Sequence, residues 1–524
     1  MGVLFQAFYW NCPSEENQDG AWWNFLAGKI PELRQAGFTA LWLPPACKAA
    51  NLGGPSMGYD PYDYFDLGDF NQKGRIKTWF GNQAELVSLI NAAHTANMQV
   101  YADLVLDHNN GGDAQEVNPI DGQTRWTRFN PASGKFARDW TCFHPSPFEI
   151  FDEMTFGDMP DLCHRNPLVY AALIEVAQWM VETIGFDGFR FDFVKGYAPW
   201  MVQSIAELRY LKKSADNFYA FCVGECWDNE RTVDDWLGEV NSYTDNPVSA
   251  FDFPLHYRLK GLCDTYGFSL RTLATPGTVA QDTPSQAVTF VDNHDTIRDP
   301  DNAITNDKLL AYSFILSHEG YPSVFWMDWY NFGLAKTGAP NGIAALVAAH
   351  EQHAGGTTQA LYADDNLYVM QRTGAGAQSG LVYVLNNLGD VWNGAMVQTQ
   401  WQGVRFEPVA YGGYDASRPD SKTTSADGHS DFWASPRGWG SLCAPRVRVV
   451  SCQFLGAAVF RTGCSNAKTG RAFGELLALH VGTLRSRSGG VLRVIEVHEL
   501  RARRRLQGEL IIPDRLIDDQ LVDD

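Results

Sequence analysis

Long apolar runs are missing from this chain of 524 residues. No segment has 18 uninterrupted apolar residues, so we predict no membrane span and no membrane partner. The chain opens with MGVLFQAFYWN, which lacks the basic stretch and the apolar stretch of a secretory signal peptide. We expect either a protein that stays inside the cell or a leader that is missing from this sequence, and the compartment stays open.

Cysteine pairs are missing as well. The ten cysteines are scattered without a CxxC pair, so we expect neither a zinc cluster nor a dense disulfide framework. The formal net charge of −20 disfavours nucleic acid as the main partner and is compatible with a neutral substrate. Aromatic residues are abundant instead, with 17 Trp and 20 Tyr, and their flat faces suit sugar rings as well as protein cores.

Short apolar segments alternate with helical segments over the first 350 residues. The pattern predicts eight strands, at residues 3–9, 39–43, 99–106, 185–197, 218–225, 248–253, 287–291 and 323–327. Among the helices, apolar spacing predicts one that runs from Met201 to Leu211. Apolar strands that alternate with helices predict an α/β protein with a (β/α)8 barrel. A doubly wound open sheet is the alternative, although no GxGxxG follows the first strand.

Three regions differ from this pattern. Residues 107–165 show little periodicity, and we predict an inserted domain there, between barrel parts at 1–106 and 166–354. Short alternating runs predict a C-terminal antiparallel β domain at 355–445. Residues 446–524 contain no Trp or Tyr and carry 12 Arg and 1 Lys against 4 Glu and 5 Asp. This basic tail is a disordered extension, a docking arm or the product of a faulty gene model, and we expect little fixed structure in it.

Polar side chains follow four of the predicted strands at the point where each strand ends. The clusters are Asp107 with His108, then Arg190 with Asp192 and Lys195, then Glu225, and finally DNHD at residues 292–295. In a parallel barrel, the carboxyl ends of all strands meet at the face where barrel enzymes keep their active sites. Burial of such groups costs several kcal/mol without partners, which favours a functional role for the set.

Arg190 and Asp192 lie two residues apart, so both side chains point to the same side of the predicted strand. The two residues form either a structural ion pair or a functional pair in which the arginine keeps a reactive carboxylate ionised. Convergent carboxylates without a Ser or Cys nucleophile motif favour glycoside hydrolysis, which uses one ionised and one protonated carboxyl group. Asp192 suits the ionised role, and Glu225, which follows apolar residues, suits the protonated role. Asp295 can oppose positive charge in the transition state.

Six motifs resemble those of a known family. They are GYDPYDYFDLG (58–68), DLVLDH (103–108), MPDL (159–162), GFRFDFVKG (188–196), GECW (224–227) and FVDNHD (290–295). In this order and spacing they resemble the α-amylases of the glycoside hydrolase 13 group, nearest in pattern to the plant and archaeal-type enzymes, over residues 3–445. The resemblance implies a TIM barrel with an inserted domain and an endo-acting, retaining hydrolase of α-1,4-glucosidic bonds in starch.

The resemblance also implies a role for each matching residue. It makes Asp192 the nucleophile, Glu225 the general acid/base and Asp295 the transition-state stabiliser. Tyr59 becomes the stacking platform at the cleaved sugar. Hydrogen bonds to sugar hydroxyls or to the catalytic carboxylates come from His108, Arg190, Lys195 and His294. Loop packing is the alternative role for Tyr59, and a solvated strand end is the alternative for Lys195.

A structural Ca²⁺ between the barrel and the inserted domain is implied in the same way, since Ca²⁺ takes six to eight oxygen ligands. The matching positions are Asp107, Asp152, Asp161 and the carbonyl of Gly196, with the carbonyl of Met154 as a weaker candidate. Asp107 stands where the family usually has Asn and still supplies an oxygen. Gly196 stands where many members have His, so this chain cannot make a substrate contact from that side chain.

Two alternative functions stay open. A branching, debranching or transglycosylating relative has the same three acids but usually carries an extra N-terminal domain, whereas here the barrel begins at Val3. A non-catalytic glucan-binding protein has no need of all three acids. We expect an α-glucan as the partner and a monomeric enzyme.

Overall fold

The computed structural model describes residues 2–444, except residues 53, 152, 213 and 214, and two short strands near the C-terminus. The chain divides into two compact units, Met1–Arg448 and Val449–Asp524. In the second unit, the described strands Leu484–Arg485 and Val491–Leu492 pair antiparallel. We predicted little fixed structure for residues 446–524. Apart from these two strands, that prediction falls on residues that the structure does not describe.

Eight parallel strands close into a barrel. They are β1 Leu4–Gln6, β2 Ala40–Trp42, β3 Gln99–Leu104, β4 Gly188–Phe191, β5 Phe221–Gly224, β6 Ser249–Phe251, β7 Ala287–Phe290 and β8 Tyr321–Phe325. Each strand pairs in parallel with its neighbours along the chain, and β8 pairs with β1 to complete the ring. This closure confirms the predicted barrel and excludes the open sheet, which would leave two unpaired edges.

Helices cover the outside of the barrel. Among the described residues, the helices of eight residues or more are α1 Trp22–Ala36, α2 Gln83–Thr95, α3 Pro167–Trp179, α4 Pro199–Ala206, α5 Glu230–Val240, α6 Phe253–Asp264, α7 Lys308–Ile315 and α8 Ile343–His353. Asn166 caps α3 by accepting the N–H of Leu168, with Pro167 in the first turn. None of the described helices combines the length and hydrophobicity needed to cross a bilayer.

The helix predicted from Met201 to Leu211 is wrong beyond Ala206. Residues Tyr210–Lys212 instead pair antiparallel with Ala215–Phe218. Leu211 keeps helical spacing but is 60% exposed, whereas Tyr210 is fully buried. The barrel strand β5 therefore begins at Phe221 rather than at Phe218.

The segment between β3 and α3 folds back on the carboxyl end of β3. It contains the hairpin Ala114–Val117 and Thr124–Arg128 and the short helical turn Trp140–Cys142. A backbone bridge then joins His108 to Asp161. Polar groups that lie far apart in sequence are thereby placed side by side above the barrel.

An antiparallel β region follows α8. Its strands are β9 Thr358–Ala363, β10 Leu367–Arg372, β11 Leu381–Asn386, β12 Asn393–Gln398, β13 Arg405–Gly412, β14 Lys422–Thr423, β15 His429–Ala434 and β16 Gly438–Cys443. Six strands form one sheet in the order β9-β10-β11-β16-β13-β14, and β12 pairs with β15. Alternate residues of β10 point to opposite faces, so Tyr368 joins the barrel core while Val369 joins a second, smaller core.

Candidate active site

Arg190 lies in β4 and is almost completely buried. Its Nη1 donates hydrogen bonds to Asp103 Oδ1 at 2.8 Å and to Asp192 Oδ1 at 2.6 Å, and its Nη2 lies 2.6 Å from Glu225 Oε1. The barrel register causes this convergence, because Arg190 pairs with Asp103 on β3 and with Val223 on β5. One buried cation therefore contacts three carboxyl groups from three neighbouring strands.

The two predicted reacting acids have different pKa values. Burial raises the pKa of Glu225 to about 8, although Arg190 opposes the rise. Burial also raises the pKa of Asp192, to about 6, and Arg190 again opposes the rise. Asp192 accepts a hydrogen bond of 2.6 Å from Arg190, whereas Glu225 Oε2 accepts a longer one, of 3.2 Å, from the Phe193 N–H. The shorter, charge-assisted hydrogen bond favours ionised Asp192, so between these pKa values Asp192 is ionised while Glu225 keeps its proton.

Asp295 follows β7 and reaches the same region. Arg298 Nη1 donates to Asp295 Oδ1 at 3.1 Å, and His294 Nε2 lies 3.2 Å from Asp295 Oδ2. Burial lowers the pKa of His294 to about 4, so this imidazole is neutral near pH 7. Its Nδ1 lies 3.0 Å from the Gln6 Nε2 amide group, which can only donate, so the ring proton is on Nε2, which makes no hydrogen bond to the described residues.

Tyr59 lies in the turn between Lys48–Ala49 and Pro61–Asp63 and is half-buried. Its hydroxyl donates to Asp103 Oδ2 at 2.8 Å. Its ring is nearly parallel to that of His294, with centroids 5.1 Å apart, and to that of Trp10, with centroids 5.9 Å apart. These contacts fix the aromatic ring beside the acids.

A cleft of about 970 Å³ opens over the cluster. Six of the predicted site residues line it, namely Tyr59, His108, Asp192, Lys195, Glu225 and Asp295. Arg190 and His294 lie behind the cleft wall, where they contact the acids. A second cavity of about 600 Å³, between α7 and the C-terminal sheet, is lined by none of the predicted site residues.

Two predicted substrate ligands contact other protein groups. His108 Nδ1 lies 3.0 Å from Asp107 Oδ2, and His108 Nε2 lies 2.9 Å from the Tyr59 carbonyl. Both ring nitrogens of His108 are therefore engaged in this structure. Lys195 Nζ donates to Asp228 Oδ2 at 2.9 Å at the edge of the cleft.

Sequence reasoning missed four residues of the site. Asp103 accepts hydrogen bonds from Arg190 and Tyr59, and the available signal was a charged residue inside the apolar strand β3. The other three line the cleft and are Trp10, Trp227 and Arg298. Trp227 belongs to the GECW motif, so its neighbour Glu225 could have indicated it. Arg298 carried no signal beyond its position three residues after Asp295.

The described calcium candidates lie together. The N–H of Leu162, the residue after Asp161, donates to the Asp107 carbonyl at 2.8 Å, and Met154 N–H donates to the Gly196 carbonyl at 3.3 Å. A Cβ at Gly196 would lie 1.9 Å from Asp107 Oδ1, so glycine leaves the room that this carboxylate occupies. The donors are carboxylate and carbonyl oxygens, which fit Ca²⁺. The fourth predicted ligand, Asp152, lies outside the described residues.

Two other groups of side chains in the described part of the chain could hold a metal ion. One consists of His144, Glu149 and Cys163, and the other of the exposed Glu230, Asp234 and Asp282. Within each group the ligand atoms lie within 4.8 Å of one another. Neither group was predicted from the sequence.

The fold and the site together define a class of enzyme. Catalytic residues of (β/α)8 barrels lie at the carboxyl ends of the strands, where Asp192 and Glu225 are found. Two carboxyl groups with separated pKa values beside a cleft are the arrangement used by glycoside hydrolases. The molecule is thus built as a barrel glycoside hydrolase.

Comparison with known proteins identifies the family. The alpha-amylase catalytic-domain model matches residues 13–315. The alpha-amylase of Geobacillus stearothermophilus is 31% identical, over 86% of this chain and 88% of the relative. The cytoplasmic alpha-amylase of Escherichia coli (strain K12) is 29% identical, over 74% of this chain and 88% of the relative. The crystal structure of alpha-amylase from Geobacillus thermoleovorans complexed with acarbose shares the fold, with a TM-score of 0.61 and 21% identity, over 85% of this chain and 98% of that one.

The chain belongs to the alpha-amylase family, and it is a glycoside hydrolase of glucans. This confirms the family resemblance and the enzyme class predicted from the six motifs. It also disfavours the non-catalytic glucan-binding alternative, because Asp192, Glu225 and Asp295 lie together beside a cleft.

Proposed function

We propose that this protein is an endo-acting, retaining α-amylase that hydrolyses α-1,4-glucosidic bonds in starch- and glycogen-type glucans. The observation that carries the proposal is the buried Arg190 guanidinium in contact with both Asp192 and Glu225. A retaining mechanism needs two carboxyl groups about 5–5.5 Å apart, and a single guanidinium that touches both supports this spacing.

Asp192 attacks the anomeric carbon of the sugar on one side of the scissile bond. The bond to the leaving oxygen breaks, and Glu225 transfers its proton to that oxygen, so a glycosyl ester with Asp192 and a shortened glucan form. Glu225, now ionised, then removes a proton from water. The water oxygen attacks the anomeric carbon, the ester bond breaks, and Asp192 regains its negative charge.

The remaining residues support these two steps. Asp295 lies where its carboxylate opposes the positive charge that develops on the sugar ring. Tyr59 provides an aromatic face for the sugar, and His294 Nε2 lies 3.2 Å from Asp295 Oδ2. Lys195 lines the cleft and offers hydrogen bonds to sugar hydroxyls, whereas His108 lines it with both ring nitrogens engaged by Asp107 and by the Tyr59 carbonyl. Arg190 positions Asp192 through the 2.6 Å hydrogen bond rather than by touching the substrate.

Domain organisation follows the predicted boundaries in this proposal. The barrel comprises residues 1–106 and 166–354, the inserted domain 107–165 and the antiparallel domain 355–445. The positions of β1–β8 and β9–β16 within these ranges support the assignment. The tail at 446–524 receives no function, and the enzyme acts as a monomer on an α-glucan.

A structural Ca²⁺ belongs to the proposal as well. Asp107, Asp152, Asp161 and the Gly196 carbonyl would hold the ion, with the Met154 carbonyl as a weaker candidate. When bound, the ion would offset the negative charge of the carboxylates and link the inserted segment to the end of β4. The chain's own contribution is to hold these oxygens close together through the backbone bonds described above.

Substitution of the nucleophile tests the proposal. Asp192→Asn should lower turnover of soluble starch by at least about 10³-fold in a reducing-sugar assay, because the amide cannot form the glycosyl ester. Asp235→Asn, on the exposed side of α5, is the matched control and should retain activity. Substantial activity of Asp192→Asn would remove the nucleophile assignment.

Product analysis tests the stereochemistry and the mode of cleavage. NMR of fresh products should show the α-anomer first, because two displacements restore the starting configuration. Oligosaccharides blocked at the non-reducing end should still be cleaved by an endo-acting enzyme. A β-anomer product, new α-1,6 branches or cyclic glucans as main products would contradict the proposed activity.

A further inference from the structure

We propose that Arg298 is a positioning residue for the reaction, which fixes the direction of the Asp295 carboxylate at the cleft. The inference rests on the proposed function, because it gives a partner to the acid that opposes positive charge on the sugar ring. Arg298 ends the short helical turn Thr296–Arg298, which follows Asp295 directly, and its side chain lines the same cleft.

Different groups hold the backbone and the side chain of Asp295. Asn293 Oδ1 accepts the N–H groups of Asp295 and Thr296, at 2.8 and 2.9 Å, and so fixes the backbone. Arg298 Nη1 donates to the carboxylate Oδ1 at 3.1 Å. His294 Nε2 lies 3.2 Å from Oδ2 but forms no hydrogen bond with the described residues. The guanidinium therefore supplies the directional, charge-assisted contact that limits rotation of the carboxylate.

A second contact holds the guanidinium itself. Its central carbon lies 3.8 Å from the centroid of the Trp10 ring, which is a cation–π distance. The Trp10 ring stacks on Tyr59, with 5.9 Å between the centroids and 13° between the planes. Arg298 therefore connects the Asp295 carboxylate to the aromatic platform proposed for the sugar. A planar guanidinium can stack and donate at the same time, whereas a lysine ammonium is a point charge and cannot reproduce both contacts.

The ion pair is too exposed to serve mainly for stability. The side chain of Arg298 is 47% exposed and that of Asp295 is 29% exposed. Ion pairs this accessible to water contribute little to folding. Arg190 differs, because it is almost completely buried and its removal would leave three buried carboxyl groups without their cation. Substitution of Arg298 can therefore separate a role in the reaction from a role in the fold.

Arg298 also changes the electrostatic environment of Glu225. Burial raises the pKa of Glu225 to about 8, and Arg190 opposes the rise. The negative charges of Asp192 and Asp295 add to the rise. Arg298 offsets part of the Asp295 charge through its ion pair. Removal of the guanidinium should therefore raise the pKa of Glu225 further and move the basic limb of the pH–activity profile to higher pH.

Kinetics of Arg298→Met test the inference, because methionine keeps an apolar contact with the Trp10 ring but has neither charge nor donor. We expect kcat to fall about 10- to 100-fold on starch and on α-maltosyl fluoride alike, since positive charge develops on the sugar ring in both reactions. The KM for starch should stay within about threefold of wild type. The basic limb of kcat/KM should move by about half a pH unit to higher pH.

Two variants make the comparison specific. Arg298→Lys keeps the charge, so it should leave the basic limb at its wild-type position and lose less kcat than Arg298→Met. Arg231→Met is the matched control, since Arg231 lies on α5 with a 90% exposed side chain and does not line the cleft. This control should change neither kcat nor the pH profile.

Circular dichroism and thermal unfolding report whether each variant folds, and the Tm of Arg298→Met should stay within about 3 °C of wild type. If that variant does not fold, Arg298→Gln takes its place, because it also lacks the charge. A kcat within about twofold of wild type, a loss confined to KM or a basic limb that does not move overturns the inference. A wild-type protein without activity on starch would instead remove the proposed function on which the inference depends.

Discussion

Glu225→Gln separates proton donation from the other functions of the active site. Glutamine keeps the size of the side chain but has no acidic proton to give to the leaving oxygen. General acid catalysis contributes about 10²–10⁴-fold, so kcat/KM on starch should fall by that factor. An α-maltosyl fluoride needs no protonation of its leaving group, and its kcat/KM should stay within about tenfold of wild type.

The same substitution should change how stability depends on pH. The pKa of buried Glu225 is raised from 4.5 to about 8, which corresponds to about 5 kcal/mol in favour of the protonated form. A raised folded-state pKa means that this stability is fully present below pH 4.5 and is lost as the pH rises towards 8. Glutamine does not titrate, so the variant should match wild type at low pH and exceed its unfolding free energy above pH 8 by at most about 5 kcal/mol.

Steady-state kinetics on both substrates and urea unfolding at several pH values, with Ca²⁺ present, check these expectations. Glu239→Gln, on the exposed side of α5, is the matched control and should change neither quantity. Equal losses on starch and on the fluoride would refute Glu225 as the proton donor. A stability difference independent of pH would refute burial as the cause of its raised pKa.

Three further predictions follow from the site. The kcat/KM for starch should depend on pH as a bell-shaped curve. It should fall below about pH 6 as Asp192 gains a proton, and above about pH 8 as Glu225 loses one. A profile that is flat across both pH values contradicts this. Gly196→Ala should weaken Ca²⁺ retention and lower stability by about 1–3 kcal/mol, because its Cβ would lie 1.9 Å from Asp107 Oδ1. Gly28→Ala is the control and should change neither quantity, because its Cβ meets no atom within 4 Å. Metal analysis and urea unfolding check both variants. A chelator should lower the Tm, and added Ca²⁺ should restore it; a Tm that ignores both would argue against a structural ion.

The order of elements and the family could be predicted from the sequence alone. Apolar strands that alternate with helices require a covered parallel sheet, and each predicted barrel strand is present, seven of them shorter than predicted and β8 shifted by two residues towards the N-terminus. The two-residue spacing placed Arg190 and Asp192 on one side of β4, which their 2.6 Å contact confirms. Such periodicity is local, since it depends only on backbone geometry within one strand or helix.

Periodicity failed where tertiary contacts decide. The spacing that continues to Leu211 is helical, yet burial of Tyr210 in a hairpin ends α4 at Ala206. Contacts between strands could not be predicted from the sequence either, because the register of the closed barrel determines which side chains meet. That register brings Asp103 and Glu225 to the same arginine, and the resulting burial separates the pKa values on which the proposed chemistry depends.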